Sequence, residues 1–318
     1  MVLQIGILIG GLIVLTIGAE VLVRGGVKLA RTFGLSPLLV GLTILAYGTS
    51  LPELVVSVLA ALKGSATIAL GNAIGSNLLN TGIVLGIAAL IFPLTASPGI
   101  FRRDLPLHLF VVVFFGILAF NGDITAYDGA LLLLGMAGYI GFTVWHGIKN
   151  PEELLDLPDG EAPPPKKDWW KAALGIAAGS VGLYFGAEWM VSAAIAIARA
   201  LEIPERVLGI TIVALGTSLP ELATTIAAAR RRESALILGN LIGSNIFNLM
   251  LIVGTAGVLA PFPFDLAGVR VDYAFLLANS IMLFLVFSRR TPRTMSRVAG
   301  GALVLVYLLF LAVLLLRN

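Results

Sequence analysis

One polar segment occurs twice in this chain, each time inside a stretch that is otherwise apolar. The copies span residues 41–80 and 209–248, align without a gap at an offset of 168, and share 21 of 40 positions. Each contains the sequence Gly-Thr-Ser-Leu-Pro-Glu, so each carries a glutamate among apolar residues. Ionisable residues in apolar membrane segments usually mark function, and the duplication points to an ion or substrate site.

Pro52 is expected to break the helix that carries the first of these glutamates, Glu53. Proline has no N–H, and its ring clashes with the carbonyl four residues earlier, here that of Gly48. Thr49 and Ser50 lie four and three residues before Glu53, so one helix face presents hydroxyls, a carboxylate and free carbonyls. These are the hard oxygen ligands that Ca²⁺ prefers and Na⁺ also accepts. A membrane tolerates a free carbonyl only where protein or a cavity surrounds it, so the break predicts a polar cavity at mid-membrane.

The helix that follows adds an amide and a further hydroxyl. Ser76 and Asn80 are four residues apart and therefore share a helix face. Gly75 allows either the close approach of a neighbouring helix or a local break. The second copy repeats the positions of both helices, at Gly216, Thr217, Ser218, Pro220, Glu221, Gly243, Ser244 and Asn248.

The two glutamates are expected to meet at the centre of the protein if a two-fold axis in the membrane plane relates the two copies. Two carboxylates that share a dry site cannot both stay ionised without cations, and without them one takes up a proton. One Ca²⁺ balances the charges of Glu53 and Glu221, and two or three Na⁺ compete for the same oxygens. A site that must be occupied to be neutral favours exchange over free leakage.

Composition indicates a membrane protein. Of the 318 residues, 58% are hydrophobic and only 12% are charged, about half the charged fraction of a soluble domain. About 20 apolar residues make one span, so the chain is long enough for about ten. The absence of cysteine excludes a thiolate metal site, and two histidines are too few for a histidine-rich one. The net charge of +3 does not indicate nucleic-acid binding.

The elements that must position the site are ten predicted transmembrane helices of an all-α polytopic membrane protein. If the N-terminus lies outside, connections on the inner side hold 16 of the 21 Lys and Arg residues, beginning with Arg24, Lys28 and Arg31. This positive-inside bias predicts a multi-pass protein of the cell membrane with both termini outside. The apolar runs lie at 2–23, 36–62, 67–92, 105–121, 125–147, 169–198, 205–229, 234–260, 271–288 and 298–316.

The duplication divides the chain into two halves of five helices. The tripeptide Gly-Ala-Glu that ends at Glu20 recurs at Glu188, again at an offset of 168. Because five is odd, the second half should enter the membrane upside down, which is the inverted repeat of alternating-access transporters. We expect a first half at 1–148, a Pro-rich, charged cytoplasmic linker at 149–168 and a second half at 169–318.

The matching glutamates of these first helices have different neighbours. Arg24 stands four residues after Glu20, which predicts an ion pair on the helix face. Ser192 stands at the same spacing from Glu188, so the sequence explains Glu188 less well. Both glutamates are also candidates for lining an access path.

The double motif, GTSLPE followed by GN, GSN and a final Asn, resembles the α-repeats of the cation/calcium exchanger superfamily, and most resembles its prokaryotic sodium/calcium exchanger branch. The resemblance covers nearly the whole chain. It implies four cation subsites among the second, third, seventh and eighth helices, and a sliding gate formed by 2–30 and 169–199. The ligands that it implies are the carboxylates of Glu53 and Glu221, the hydroxyls of Ser50, Ser218, Thr49, Thr217, Ser76 and Ser244, the carbonyls of Ala46, Thr49, Ala214 and Thr217, and the amides of Asn80 and Asn248, with Glu53, Glu221, Thr49 and Thr217 as metal ligands.

The resemblance implies a secondary active antiporter that exchanges Na⁺ for Ca²⁺ and exports Ca²⁺. Potassium-dependent relatives are among those with an aspartate at the position of Asn248, so potassium co-transport is not expected. Proton-coupled relatives place their acid in a GN-x-x-E setting, whereas this chain has GTSLPE in both halves, which favours sodium coupling.

Three alternatives to sodium-coupled exchange remain. An H⁺/Ca²⁺ antiporter would use the two carboxylates as proton carriers. A passive cation channel would not need inverted symmetry. A membrane-embedded enzyme would need a nucleophile or a water-activating pair, and none is apparent outside the ion motif. We therefore expect no enzymatic activity, no cofactor, no nucleic-acid partner and no obligate protein partner, and we expect Ca²⁺, Na⁺ and the lipid bilayer as partners.

Overall fold

The computed structural model describes residues 2–33, 35–63, 66–149, 169–200, 214–263, 266–288 and 293–317. The helices in these ranges are α1 (Val2–Phe33), α2 (Leu38–Thr49), α3 (Leu51–Leu62), α4 (66–91), α5 (Ile100–Asn121), α6 (Ala126–Lys149), α7 (Trp169–Ala200), α8 (Ala214–Thr217), α9 (Leu219–Arg230), α10 (Ser234–Leu259), α11 (Leu266–Ser288) and α12 (Arg297–Arg317). Four two-residue strands lie in the connections: β1 (Leu94–Thr95), β2 (Asp123–Ile124), β3 (Phe262–Pro263) and β4 (Thr294–Met295).

The protein is a helical polytopic membrane protein. Among the described residues, eight helices are long and apolar enough to cross a membrane, or nine if α2 and α3 form one broken span. The predicted span at 205–229 is described only from Ala214 onward. Ten spans, the inverted arrangement and the two halves therefore stay predictions, and the proposed linker lies outside the described residues except for Lys149.

Helices α4 and α10 form the centre of the bundle. Within the most apolar 18-residue stretch of each helix, 72% of the residues of α4 and 94% of those of α10 are buried. The corresponding share is 22% for α1 and for α7. The strands tie the periphery together, because β1 pairs antiparallel with β4 and β2 pairs antiparallel with β3. The central position of α4 and α10 brings both GN…GSN…N segments into the interior.

The predicted helix break is confirmed, and it falls at the serine of each GTSLPE motif. Helices α2 and α3 meet at 47°, and Ser50 between them leaves the helical region with φ −87° and ψ 7°. Ser218 between α8 and α9 has nearly the same geometry, φ −91° and ψ 6°. Pro52 and Pro220 each lie in the first turn of the second segment, where the missing N–H costs no hydrogen bond.

Each central helix widens into a π turn at its last asparagine, a feature that the sequence pattern did not predict. The π turns span Asn80–Val84 in α4 and Asn248–Ile252 in α10. Such turns insert one extra residue per turn and occur mostly at functional sites. The two π turns begin at positions that are equivalent under the offset of 168.

The first helix extends beyond its apolar run. It continues to Phe33, so Arg24, Lys28 and Arg31 lie on its last turns. The prediction that these three residues lie in a connection between helices was wrong. Long basic side chains can extend to the interface from the end of a helix while their stems cover apolar surface. A helix end predicted from the apolar run alone therefore falls too early in such a helix.

Helices α1 and α7 pack backbone against backbone through glycines. A Cβ added at Gly18 would lie 2.8 Å from the amide N of Leu183, and one at Gly186 would lie 2.5 Å from that of Leu15. Small residues at an interface let two membrane helices approach closely. Similar contacts occur at Gly11, Gly25 and Gly179.

Candidate cation-binding site

The predicted site residues come together where the two helix breaks face the two central helices. The breaks between α2 and α3 and between α8 and α9 supply the hydroxyls and carboxylates, and α4 and α10 supply the amides. The carboxylates of Glu53 and Glu221 are each 1% exposed. A buried carboxylate needs hydrogen bonds or a cation to offset its lost hydration.

Each serine of one motif approaches the carboxylate of the other. Ser50 Oγ donates to Glu221 Oε1 over 3.0 Å. Ser218 Oγ lies within hydrogen-bond distance of Glu53 Oε1, at 3.4 Å, and of Ser76 Oγ, at 3.3 Å. The two copies of the motif therefore meet in the fold, and their joint role as one cation site stays a prediction.

The threonines of the motif connect the breaks to the opposite central helices. Thr49 Oγ1 lies 3.4 Å from both Ala46 O and Asn240 Oδ1. Thr217 Oγ1 lies 3.4 Å from Asn72 Oδ1. The threonine hydroxyls thus have amide partners in this structure, so a ligand role for them stays a prediction. Ala214, a predicted carbonyl ligand, is the first described residue of α8.

An amide network joins α4 to α10. Asn77 Nδ2 donates to the carbonyl of Asn245 over 3.0 Å, and Asn248 Nδ2 donates to Asn77 Oδ1 over 2.9 Å. Asn80 Nδ2 donates to Asn245 Oδ1 over 3.2 Å, and Asn245 Nδ2 donates to Thr81 Oγ1 over 3.0 Å. The side-chain amide nitrogens of Asn80 and Asn248 donate within this network. Their side-chain oxygens take no part in it.

Five buried oxygens of the predicted site have no hydrogen-bond partner among the described residues. One carboxylate oxygen of each glutamate has its serine or threonine neighbours, but the second has none. Such atoms normally find a partner, because an unsatisfied buried polar group costs about 1–3 kcal/mol. All five can accept a hydrogen bond or coordinate a cation. They are Glu53 Oε2, Glu221 Oε2, Asn80 Oδ1, Asn248 Oδ1 and Ser244 Oγ.

The donor set suits a hard cation. Carboxylate, amide and hydroxyl oxygens are the ligands of Ca²⁺, whereas transition metals favour thiolate and imidazole. In the ranges that the structure describes, no three His, Cys, Asp or Glu side chains cluster as a metal site. The site thus has two formal negative charges and neutral oxygens around them.

The two halves of the site are not in the same conformation. Asn72 Nδ2 donates to Ser57 Oγ over 3.0 Å and to Glu53 O over 3.3 Å. At the equivalent positions in the second half, Asn240 Nδ2 and Thr225 Oγ1 have no partner in the described part of the chain. The two halves therefore differ in their hydrogen bonds although the sequence positions correspond at the offset of 168.

The predicted glycines differ in their surroundings. A Cβ at Gly243 would lie 2.6 Å from Leu42 O, so close helix approach explains this glycine. A Cβ at Gly75 would meet no described atom within 4 Å, but Ile210, the equivalent of Leu42, lies outside the described residues. Helix α4 continues through Gly75 without a break, so of the two roles predicted for it only close approach is left. Gly48 and Gly216 both lie against α7.

Sequence reasoning missed the residues that position the ligands. Thr81 and Ser57 were not singled out, and Asn245 was not assigned a partner. Thr81 follows directly after Asn80, and Ser57 lies four residues after Glu53, so spacing could have identified both. The partner of Asn245 is 165 residues away, and no local pattern reports such a contact.

Asn245→Ala is expected to weaken Ca²⁺ binding about ten-fold while the protein stays folded. The substitution leaves Asn80 Nδ2 without an acceptor, and an unpaired buried donor costs about 1–3 kcal/mol. Titration of ⁴⁵Ca²⁺ onto the purified protein measures the change. The matched control is Thr81→Val, which leaves the bond between Asn245 and Asn80 in place and should change the affinity less. Equal affinities for Asn245→Ala and the unmodified protein would contradict the positioning role.

Comparisons with known proteins identify the relatives of this chain. The family model described as sodium/calcium exchanger protein matches residues 3–145 and 171–316. Inner membrane protein YrbG of Escherichia coli (strain K12) is 36% identical over 302 residues, which are 92% of this chain and 91% of that protein. Sodium/calcium exchanger MaX1 of Methanosarcina acetivorans is 31% identical over 352 residues, with 97% of both chains covered.

Solved structures show the same fold. The sodium-calcium exchanger NCX_Mj soaked with 10 mM Na⁺ and zero Ca²⁺ superimposes with a TM-score of 0.86, at 32% sequence identity, over 98% of both chains. The family that the motifs predicted is therefore confirmed by the sequence and by the fold. The family is one of exchangers, which are transporters.

Proposed function

The chain belongs to the sodium/calcium exchanger family, and on this premise we propose that it exchanges Na⁺ for Ca²⁺ across the cell membrane by alternating access, with export of Ca²⁺ as its net direction. The observation that carries the proposal is the set of five buried, unpartnered oxygens around Glu53 and Glu221. Sodium/calcium exchange is also what the names of MaX1 and NCX_Mj state for those relatives.

The proposed ligands are the oxygens of the two motifs and the two central helices. Glu53 and Glu221 supply the charge, and Ser244, Asn80 and Asn248 supply neutral oxygens that lack a partner. The hydroxyls of Ser50, Ser218 and Ser76 lie in the same hydrogen-bond network. The set is completed by two hydroxyls and two carbonyls, those of Thr49, Thr217, Ala46 and Ala214. The threonine hydroxyls become free to bind when the ions displace their asparagine partners.

Charge balance supports exchange over leakage. Two buried carboxylates without a cation have a large desolvation cost, and a bound cation removes most of it. One Ca²⁺ neutralises the two charges, and two Na⁺ do the same. Because the two carboxylates need a cation to stay neutralised, release of one ion is coupled to binding of the other.

The neutral side chain of Asn248 leaves the site without a third carboxylate to hold a potassium ion.

The gate of the transporter is the pair α1 and α7. These helices are the least buried of the described spans, together with α12, and α7 contacts both helix breaks at Gly48 and Gly216. Ten helices in two inverted halves, with both termini outside, give the two halves opposite orientations around the site. Sliding of the pair then exposes the site to one side at a time.

A gradient experiment tests the coupling ion. In proteoliposomes with internal Na⁺, external ⁴⁵Ca²⁺ is expected to accumulate when external Na⁺ is removed, because two or three Na⁺ compete for the same oxygens. A pH gradient alone, in Na⁺-free buffer, is expected to drive no uptake. Uptake driven by pH and indifferent to Na⁺ would show an H⁺/Ca²⁺ antiporter, and uptake without any counter-ion would show a channel.

A further inference from the structure

An ion pair ties the gate to the rest of the protein at one end. The carboxylate of Glu20 on α1 accepts a hydrogen bond from Arg231, the residue that caps the C-terminus of α9. The same carboxylate accepts from Arg24 within α1 at 2.8 Å, which confirms the ion pair that the sequence predicted. The contact with Arg231 spans 211 residues of chain and joins a gate helix to a helix that carries a site glutamate.

A second acidic residue lies near the same end of α1. Burial raises the pKa of Glu233, in the turn between α9 and α10, while the positive charges of Arg31 and Arg231 oppose the shift. Arg31 belongs to α1, so a positive charge of α1 acts on the turn that follows α9.

The repeat places the same two charges at the opposite end. Subtracting 168 from Arg231 gives Lys63, and adding 168 to Glu20 gives Glu188. Lys63 caps the C-terminus of α3 as Arg231 caps that of α9, and α3 and α9 both have 12 residues. Glu188 lies on α7 at the position that Glu20 occupies on α1. In the described residues, however, Glu188 and Lys63 form no ion pair and both are exposed.

The two gate helices must move as one body. Backbone atoms face backbone atoms at Gly18 and Gly186, so neither helix can slide past the other without a clash. By contrast, two cavities lie between the gate and its neighbours. A cavity of about 550 Å³ lies between α1 and α9, with Glu20 and Arg231 in its wall. Its counterpart of about 240 Å³ lies between α7 and the break of α2 and α3.

We propose that Glu20–Arg231 and Glu188–Lys63 are two alternating latches that position the gate of the exchanger. The first latch holds the gate toward one end of the bundle in the structure described. Sliding of the α1–α7 body toward the other end separates Glu20 from Arg231 and brings Glu188 level with Lys63. Because the body is rigid, the two latches exclude each other. This inference rests on the proposed alternating access, and it gives Glu188 the role that the sequence left unexplained.

The latches should bias the gate without locking it. A solvent-exposed ion pair contributes about 0.2–1 kcal/mol, which corresponds to a population change of up to about five-fold. Two latches of similar strength therefore leave both states accessible, which is what a transporter needs in order to cycle.

Cross-linking in this cysteine-free chain tests the proposal directly. The variant Glu188→Cys/Lys63→Cys replaces two exposed side chains and is treated with a short bifunctional thiol reagent. Its cross-linking yield is expected to rise about two- to five-fold when Arg231→Gln is added, because loss of the first latch releases the gate. The matched control is Arg232→Gln, which removes the adjacent positive charge and should leave the yield unchanged. The pair Glu20→Cys/Lys63→Cys, at opposite ends, should not cross-link.

A charge-reversal series provides the second measurement. Lys63→Glu and Glu188→Lys are each expected to slow exchange, and the double variant is expected to restore it. No cross-link in any background, or equal yields with Arg231→Gln and Arg232→Gln, would overturn the latches. Cross-linking needs no ion gradient, so its failure is separate from failure of Na⁺-driven ⁴⁵Ca²⁺ uptake by the unmodified protein, which would overturn the proposed function.

Discussion

Glu53→Gln is expected to reduce Na⁺-driven ⁴⁵Ca²⁺ uptake to the level of protein-free vesicles. The substitution removes one of two buried charges while it keeps the size of the side chain and one acceptor oxygen. Loss of one partner from a buried charged set costs about 3–5 kcal/mol, which corresponds to a loss of Ca²⁺ affinity of about 100- to 5,000-fold. The amide cannot neutralise a divalent ion together with Glu221, so Ca²⁺ retains an uncompensated charge in the site.

The control for this prediction is Asp123→Asn. It also removes one carboxylate, but from the exposed residue of strand β2, outside the motifs and the two central helices. Its uptake should equal that of the unmodified protein. Size-exclusion chromatography and thermal unfolding verify that both variants fold. Sustained Na⁺-driven uptake by folded Glu53→Gln would mean that this glutamate has a structural role in the helix bundle and does not bind the transported ion.

Gly186→Ala is expected to destabilise the protein and to stop transport. Its Cβ would lie 2.5 Å from the amide N of Leu15 and 2.7 Å from the Cα of the same residue. Backbone atoms cannot move aside as a side chain can, so α1 and α7 must separate. Overpacking in a well-packed interface costs about 1–3 kcal/mol, more than the gain of up to about 1 kcal/mol from replacing glycine by alanine in a helix.

Gly10→Ala is the matched control for the helix interface. It makes the same substitution on α1, and no described atom lies within 4 Å of the added Cβ. Thermal unfolding in detergent should show a lower midpoint for Gly186→Ala and an unchanged or higher midpoint for Gly10→Ala. Similar midpoints for the two variants would show that the α1–α7 interface accommodates an added methyl group without loss of stability.

The local part of the site could be predicted from the sequence. Helical spacing places Thr49, Ser50 and Glu53 on one face. The missing N–H of Pro52 predicts the break, and the structure confirms it at Ser50. Glu20 and Arg24 are also four residues apart on one helix, and they form the predicted ion pair. In each case the covalent geometry of a single helix decides the result, so the spacing is sufficient.

The partners across helices could not be predicted in this way. Ser50 donates to Glu221 and not to Glu53, although Glu53 is only three residues away. Helix packing decides this choice, because the break turns the serine toward the other half of the protein. The π turns at Asn80 and Asn248 likewise depend on how α4 and α10 pack, since nothing in the local sequence requires an extra residue in those turns.

What the sequence by itself determined is the duplication, the chemical types of the ligands and the apolar spans, because these depend on residue identity and spacing along one chain. Only the tertiary structure decided which oxygens are left unpartnered, which two helices are joined through glycines, and that Glu20 is bound to Arg231 while Glu188 and Lys63 remain apart. The duplicated sequence makes the two ends nearly equivalent. Under the proposed latches a rigid α1–α7 body forms the ion pair at one end at a time, and helix packing, which local sequence does not report, selects that end.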